Sequence, residues 1–250
     1  MKIAAHSFRG GTGKSNTAAN LAAILALRGK RVGIIDLDLL APGLHVLFNV
    51  PKEALKWTLN DFLWERCKVK DIVIDITDML QIKNGKLFFV PASIKAEDVL
   101  RIIRTGYEVS MFSDGIDNII KEFNLDYLWI DTHPGIHEDT LLAIATCETV
   151  LTVMRLDKQD YTGTAITLEL TRRFGKKLYL LINMVPHGVP EGYIKKEVEQ
   201  TYGESVLGVI PFSEDLMAVR SGEVFCLKHP DHPYTKVINS IVDKLLEATP

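Results

Sequence analysis

Residues 8–16 read Phe-Arg-Gly-Gly-Thr-Gly-Lys-Ser-Asn, and this stretch limits the possible folds more than any other. An apolar run (residues 2–8) leads into it, and a helical pattern follows at once. A strand, a glycine turn and a helix in that order form a phosphate cradle. The glycines let successive N–H groups point inward, and the helix N-terminus adds partial positive charge. The backbone of Gly10, Gly11, Thr12, Gly13, Lys14, Ser15 and Asn16 would form that cradle. Lys14 would reach the β- and γ-phosphates of a nucleoside triphosphate, and the Ser15 hydroxyl would ligate Mg²⁺. The plainer alternative is a glycine turn that merely joins strand to helix.

Apolar runs alternate with amphipathic stretches along the whole chain, the pattern of a doubly wound α/β sheet, mostly parallel and flanked by helices. Strands are expected at residues 2–8, 31–37, 127–131, 149–154, 177–185 and 206–210. Helices are expected at 14–28, 58–66 and 234–246, with two more inside 95–124 that part near Gly106. Apolar residues at 79–82 and 87–90 flank Asn84-Gly85, which signals a small β-hairpin. No repeat or long linker divides the chain, so residues 1–250 read as a single domain.

Composition narrows the classes further. Hydrophobic residues make up 47% and charged residues 24%, as in ordinary soluble domains. Three scattered cysteines, Cys67, Cys147 and Cys226, form no CxxC pair and point to a reducing cytoplasm. No apolar run is long enough to span a bilayer. A net charge of −3 gives no global pull toward nucleic acid, so non-specific DNA contact would need a local patch. The candidates are Arg172-Arg173 with Lys176-Lys177, Lys195-Lys196, and Arg220 with Lys228; the alternative for each is a solvated face.

Three further segments carry chemistry. Asp36 and Asp38 close the strand at 31–37, where ligands of an open α/β sheet sit. One strand over from the glycine loop, they could hold a metal-bound water and orient an attacking one; a pair of helix-capping or loop-solvated acids is the alternative. Asp131 ends the apolar run Tyr-Leu-Trp-Ile, an arrangement that holds magnesium through water. Gly135, four residues on, could offer its N–H to a γ-phosphate, and His133 between them could be catalytic or a surface residue of a moving loop. Asn183 ends the run Leu-Tyr-Leu-Leu-Ile, and its amide suits an adenine edge.

Arg-Gly-Gly-x-Gly-Lys-Ser at 9–15 resembles the deviant P-loop of the ParA/MinD ATPases, in which a lysine precedes the glycines; here Arg9 stands there. Asp36-x-Asp38 followed by Pro42 is similar to that family's switch I. Asp-Thr-His-Pro-Gly at 131–135 resembles its switch II, with His133 in place of a proline. The segment from Val209 to Gly222 is similar to its adenine segment. The resemblance implies ATP or ADP with Mg²⁺, Asp36 near the metal shell beside Ser15 and Asp131, Asp38 polarising the water, and Pro211 bordering the base. It further implies slow hydrolysis, an ATP-dependent homodimer in which Arg9 reaches the partner's phosphates, and an activator or adaptor protein. The implied task is positioning or partitioning of a cargo.

Rival functions fit less well. A membrane-cycling branch carries a basic amphipathic tail, whereas the last apolar stripe here (Ile238, Ile241, Val242, Leu245) has core size and nothing basic follows it to Pro250. Metal-cluster carriers need paired cysteines. Dethiobiotin synthetase-like metabolic enzymes lack a cation before the double glycine.

Overall fold

In a computed structural model that describes residues 1–248, eight strands lie side by side in the order β3-β4-β2-β5-β1-β6-β7-β8. They are β1 (Lys2–His6), β2 (Arg31–Asp36), β3 (Ile74–Asp75), β4 (Lys86–Val90), β5 (Tyr127–Asp131), β6 (Thr149–Met154), β7 (Lys177–Val185) and β8 (Val206–Pro211). All neighbours run parallel except the short edge strand β3. Thr249 and Pro250, which follow the last helix, lie outside the described residues.

The helices α1 (Lys14–Leu27), α2 (Leu44–Leu47), α3 (Leu59–Leu63), α4 (Ala96–Thr105), α5 (Val109–Phe123) and α6 (Glu138–Thr146) connect the first half. Then come α7 (Lys158–Arg173), α8 (Glu191–Tyr202), α9 (Glu214–Ala218), α10 (Phe225–Lys228) and α11 (Pro233–Glu247). Alternation along β1 shows why helices cover both faces. Ile3 and Ala5 belong to the core that includes α1 and α11, while Ala4 belongs to the core on the other face, which includes α5, α6 and α8. Strands buried on both faces need the near-continuous apolar runs that mark them in the sequence.

α1 is apolar almost all round because it has neighbours all round. Ala19, Ala22, Ala23 and Ala26 have no exposed surface, which lets α10, α11 and the sheet close in upon it. Its end is set by Gly29, at φ 87°, with bonds from Gly29 N–H to Ala26 O and Lys30 N–H to Leu25 O. The stripe on α11 is core, since Ile238, Ile241, Val242 and Leu245 are fully buried.

Two expectations need correction. Residues 79–81 are turn and residue 82 is irregular, not strand; the antiparallel partner of β4 is Ile74–Asp75. Asn84-Gly85 docks instead on the end of α1. Asn84 Nδ2 donates to Leu27 O at 3.2 Å, and a Cβ on Gly85 would lie 2.3 Å from Lys30 O. The glycine is there for close approach to backbone. The second correction concerns β2, which is two strands from β1, because β5 lies between them.

Candidate functional site

The site lies where β1, β5, β2, β6 and β7 end. The loop from β1 into α1 turns on Gly11 and Gly13, with φ values of 76° and 81° that favour glycine. A side chain at Gly13 would also meet Asn183 Nδ2 at 2.4 Å. Gly13 supplies no side-chain cap to α1 and the first turn holds no acid, so the leading N–H groups stay available to an anion. The Thr12 hydroxyl in this loop is buried without a hydrogen-bond partner. A cleft of ≈ 480 Å³ opens over residues 10–16, with Asp38, Pro134 and Ser221 on its walls. Uncapped amides, an orphaned hydroxyl and a lysine fit a phosphate chain.

Lys14, Ser15 and Asp131 meet at the cleft floor. The buried Lys14 ammonium donates to Asp131 Oδ1 at 2.6 Å and to Ser15 Oγ at 3.2 Å. Register brings this about, since Asp131 lies opposite Ala5 on one side and Asp36 on the other. Asp36 is buried too, and its pKa is pushed up to about 7, first by burial and then by the charge of Asp131. Both its oxygens accept loop amides: Asp38 N–H at 3.2 Å, Gly43 N–H at 3.0 Å and Leu44 N–H at 3.1 Å. In this structure Asp36 caps α2 and shapes the loop that carries Asp38. Beneath the floor, His6 shares a 2.9 Å bond with Thr132 Oγ1. Burial, helped by the Lys14 charge, lowers its pKa to about 3.

The two loops expected to move are tethered to protein groups. Gly135, at φ 88°, donates its N–H to Ser7 O at 3.0 Å. Asp38 Oδ1 accepts Ala41 N–H at 2.9 Å and lies 2.7 Å from His133 Nδ1. His133 is thus half-buried against the site rather than loose on the surface. It also lines a second cavity of ≈ 430 Å³ between the β5–α6 loop and the α4–α5 junction.

Arg9 stands at the rim, with Nη1 3.5 Å from Asp157 Oδ1 and 4.0 Å from Asp160 Oδ1. Sequence reasoning passed over both acids. Their signal was an Asp-Lys-Gln-Asp start to a helix: Asp157 caps α7 by accepting Gln159 and Asp160 N–H, each at 3.0 Å.

Beyond Gly13 and Asn16 the cleft continues into a pocket of ≈ 160 Å³ bordered by Asn183, Met184, Pro211, Met217 and Arg220. Pro211 and Asn183 therefore line one pocket. Asn183 also braces the phosphate loop, donating to Thr12 O at 2.7 Å, while its own oxygen accepts Met184 N–H at 2.9 Å. Met184, Arg220 and Ser221 hold positive φ values of 55°, 49° and 57°. Such backbone gathers where a surface must take one shape.

Three residues of the basic clusters are matched by acids. Arg172 pairs with Glu204 at 2.8 Å, Arg173 with Glu169 at 2.6 Å and Lys195 with Glu199 at 3.9 Å. Lys177 lies over the Tyr179 ring. No helix among the described residues is long and apolar enough to cross a membrane.

The chain is similar to known nucleotide-binding proteins in sequence and fold. The family model described as the CobQ/CobB/MinD/ParA nucleotide binding domain matches residues 3–224. An uncharacterized ATP-binding protein of Methanocaldococcus jannaschii is 26% identical over 252 residues, covering 99% of this chain and 88% of that protein. The septum site-determining protein MinD of Thermotoga maritima is 27% identical over 223 residues, covering 86% of this chain and 76% of its own length. Among solved structures, the cell division ATPase MinD of Pyrococcus furiosus superposes with a TM-score of 0.84 at 22% identity, covering 99% of this chain and 98% of that one.

Proposed function

This chain belongs to the CobQ/CobB/MinD/ParA nucleotide-binding domain family and is a P-loop ATPase that takes ATP or ADP with Mg²⁺; on that premise we propose that it is a two-state switch for positioning or partitioning a cellular cargo. In this reading residues 1–250 act as one ATPase domain. The amides of residues 10–16 and Lys14 hold the phosphates, Ser15 and Asp131 hold the metal, and Asp36 sits behind them fixing the Asp38 loop. Pro211 and Asn183 border the base. Mg·ATP, when bound, supplies the cleavable phosphoanhydride and the metal charge. Asp38 orients water for attack, and Arg9 leaves its acids to reach the phosphates of a second copy.

One observation supports a switch above a plain hydrolase. The Gly135 N–H, the group expected to read a γ-phosphate, is occupied by Ser7 O at 3.0 Å. A phosphate oxygen that attracts it competes with that bond, so the β5–α6 loop has two partners and two positions. Turnover without an activator is expected to be slow, because the loops must be kept in one state or the other.

Self-association measured by light scattering tests this reading. The wild type and a slowly hydrolysing Asp38→Ala variant should become dimeric with Mg·ATP and remain monomeric with ADP. If both stay monomeric with ATP, the proposal is wrong.

A further inference from the structure

Asp38 and His133 come from loops 95 residues apart in sequence, yet Nδ1 of the ring lies 2.7 Å from Oδ1 of the carboxylate. An ionised carboxylate only accepts, so the ring donates there and carries its proton on Nδ1. The Ala41 N–H lands on the same oxygen at 2.9 Å. Both recorded bonds thus claim Oδ1, while Asp38 lines the nucleotide cleft. His133 is fixed in its turn. Its carbonyl accepts Thr140 Oγ1 at 3.3 Å, and its ring packs edge-on against His137 with centroids 5.1 Å apart. Only 21% of the side chain is exposed.

We propose that His133 is a positioning residue for ATP hydrolysis: its Nδ1–H holds Oδ1 of Asp38, leaving Oδ2 to orient the attacking water and binding the β2–α2 and β5–α6 loops into one moving unit. The inference rests on the reading of Asp38 as the water-orienting acid. A donor at this place removes rotamer freedom from a carboxylate whose aim decides the rate, and displacement by about 1 Å can cost roughly a hundredfold in turnover. Because the histidine reports on the β5–α6 loop, the acid is aimed only while that loop is in place.

The test combines kinetics with a measurement on nucleotide-free protein. Histidine ¹⁵N NMR of the wild type should show His133 protonated on Nδ1, and Asp38→Asn should move those signals while leaving His187 and His229 unchanged. His133→Ala should lower kcat by about 10- to 100-fold with KM held within about twofold. His133→Asn, which retains a donor, should recover most of the loss. An unprotonated Nδ1 in the wild type overturns the inference, even if the alanine variant fails to fold. So does equal turnover by the alanine and asparagine variants, or an effect confined to KM. If Asp38→Asn hydrolyses like the parent, the premise and the inference fall together. If Asp38→Asn is inactive and His133→Ala turns over normally, the inference alone fails.

Discussion

The glycine loop carries two cations, Lys14 and Arg9: Lys14 is held by Asp131 at the end of β5, and Arg9 by Asp157 and Asp160 at the start of α7. Their surroundings could hardly differ more. Lys14 and Asp131 have side chains 6% and 2% exposed and sit 2.6 Å apart. Arg9 and Asp157 are 39% and 42% exposed, at 3.5 Å. Under the loop, low dielectric makes each ion a condition of the other's presence, and losing one strands the other. At the rim, water screens the pair and supplies a ready replacement for either partner. The buried pair is a structural fixture that a nucleotide must rearrange. In the proposed switch the exposed pair is a resting place that a second copy would take over at small cost.

The largest effect should therefore follow from breaking the buried pair. Lys14→Ala leaves the Asp131 carboxylate without its cation beside buried Asp36, and should cost about 3–5 kcal/mol in urea unfolding, along with all binding of Mg·ATP. The sharper version is Lys14→Met/Asp131→Leu, which should regain most of that stability while remaining unable to bind nucleotide. If the double variant is no more stable than Lys14→Ala, the fixture account is wrong.

Acid offers a second probe of the same buried region. His6 lies under the loop with a pKa of about 3 in the folded chain, against 6.5 for an unperturbed imidazole. The unfolded chain then binds the proton first. The His6 contribution to stability is complete above pH 6.5 and should fall by up to about 1.4 kcal/mol per pH unit as pH drops toward 3, while Asp36, with its pKa raised to about 7, works in the opposite sense, so the His6 part is read as the difference between parent and variant. A His6→Gln variant, which keeps a polar neighbour for Thr132, should lose less stability between pH 6.5 and 5. Identical pH profiles for variant and parent would show that His6 has no such role.

The same contrast explains what could be read from the sequence. Residues 9–16 are contiguous, so their chemistry and their order stand in the text, and the buried strands announce themselves as apolar runs ending in Asp36 and Asp131. Strand order does not appear in any local pattern. The insertion of β5 between β1 and β2 puts Asp131 next to Asp36 and brings His133 within reach of Asp38. The pocket beyond the glycine loop was only half legible: Pro211 and Asn183 could be picked out, but nothing in the residue types of Met184, Arg220 and Ser221 marks their left-handed backbone. Asn84-Gly85 misled for a related reason. Its glycine answers a contact with Ala26 and Lys30 that lies 55 or more residues upstream, and a local turn rule cannot see it.

The smallest effect on folding should come from the rim. Asp160 is buried but keeps Arg155, whose Nε lies 3.1 Å away and whose own N–H donates at 3.0 Å, so removal of Arg9 strands no charge. Arg9→Ala should leave the melting temperature within about 2 °C of the parent. Assembly is where the loss should be felt, because the guanidinium can offer two parallel donors to phosphate oxygens of a second copy and alanine none. Mg·ATP-dependent dimerisation should disappear in Arg9→Ala and survive, weakened, in Arg9→Lys, where the charge remains but the fork is gone. Asp157→Asn should act in the opposite sense: by taking away the acid that competes for Arg9, it should tighten the ATP-bound dimer a few-fold, and more at low salt than at high. Sedimentation across a salt series would read all three. A large stability loss in Arg9→Ala, or a dimer indifferent to Asp157, would mean that the exposed pair is as much a fixture as the buried one.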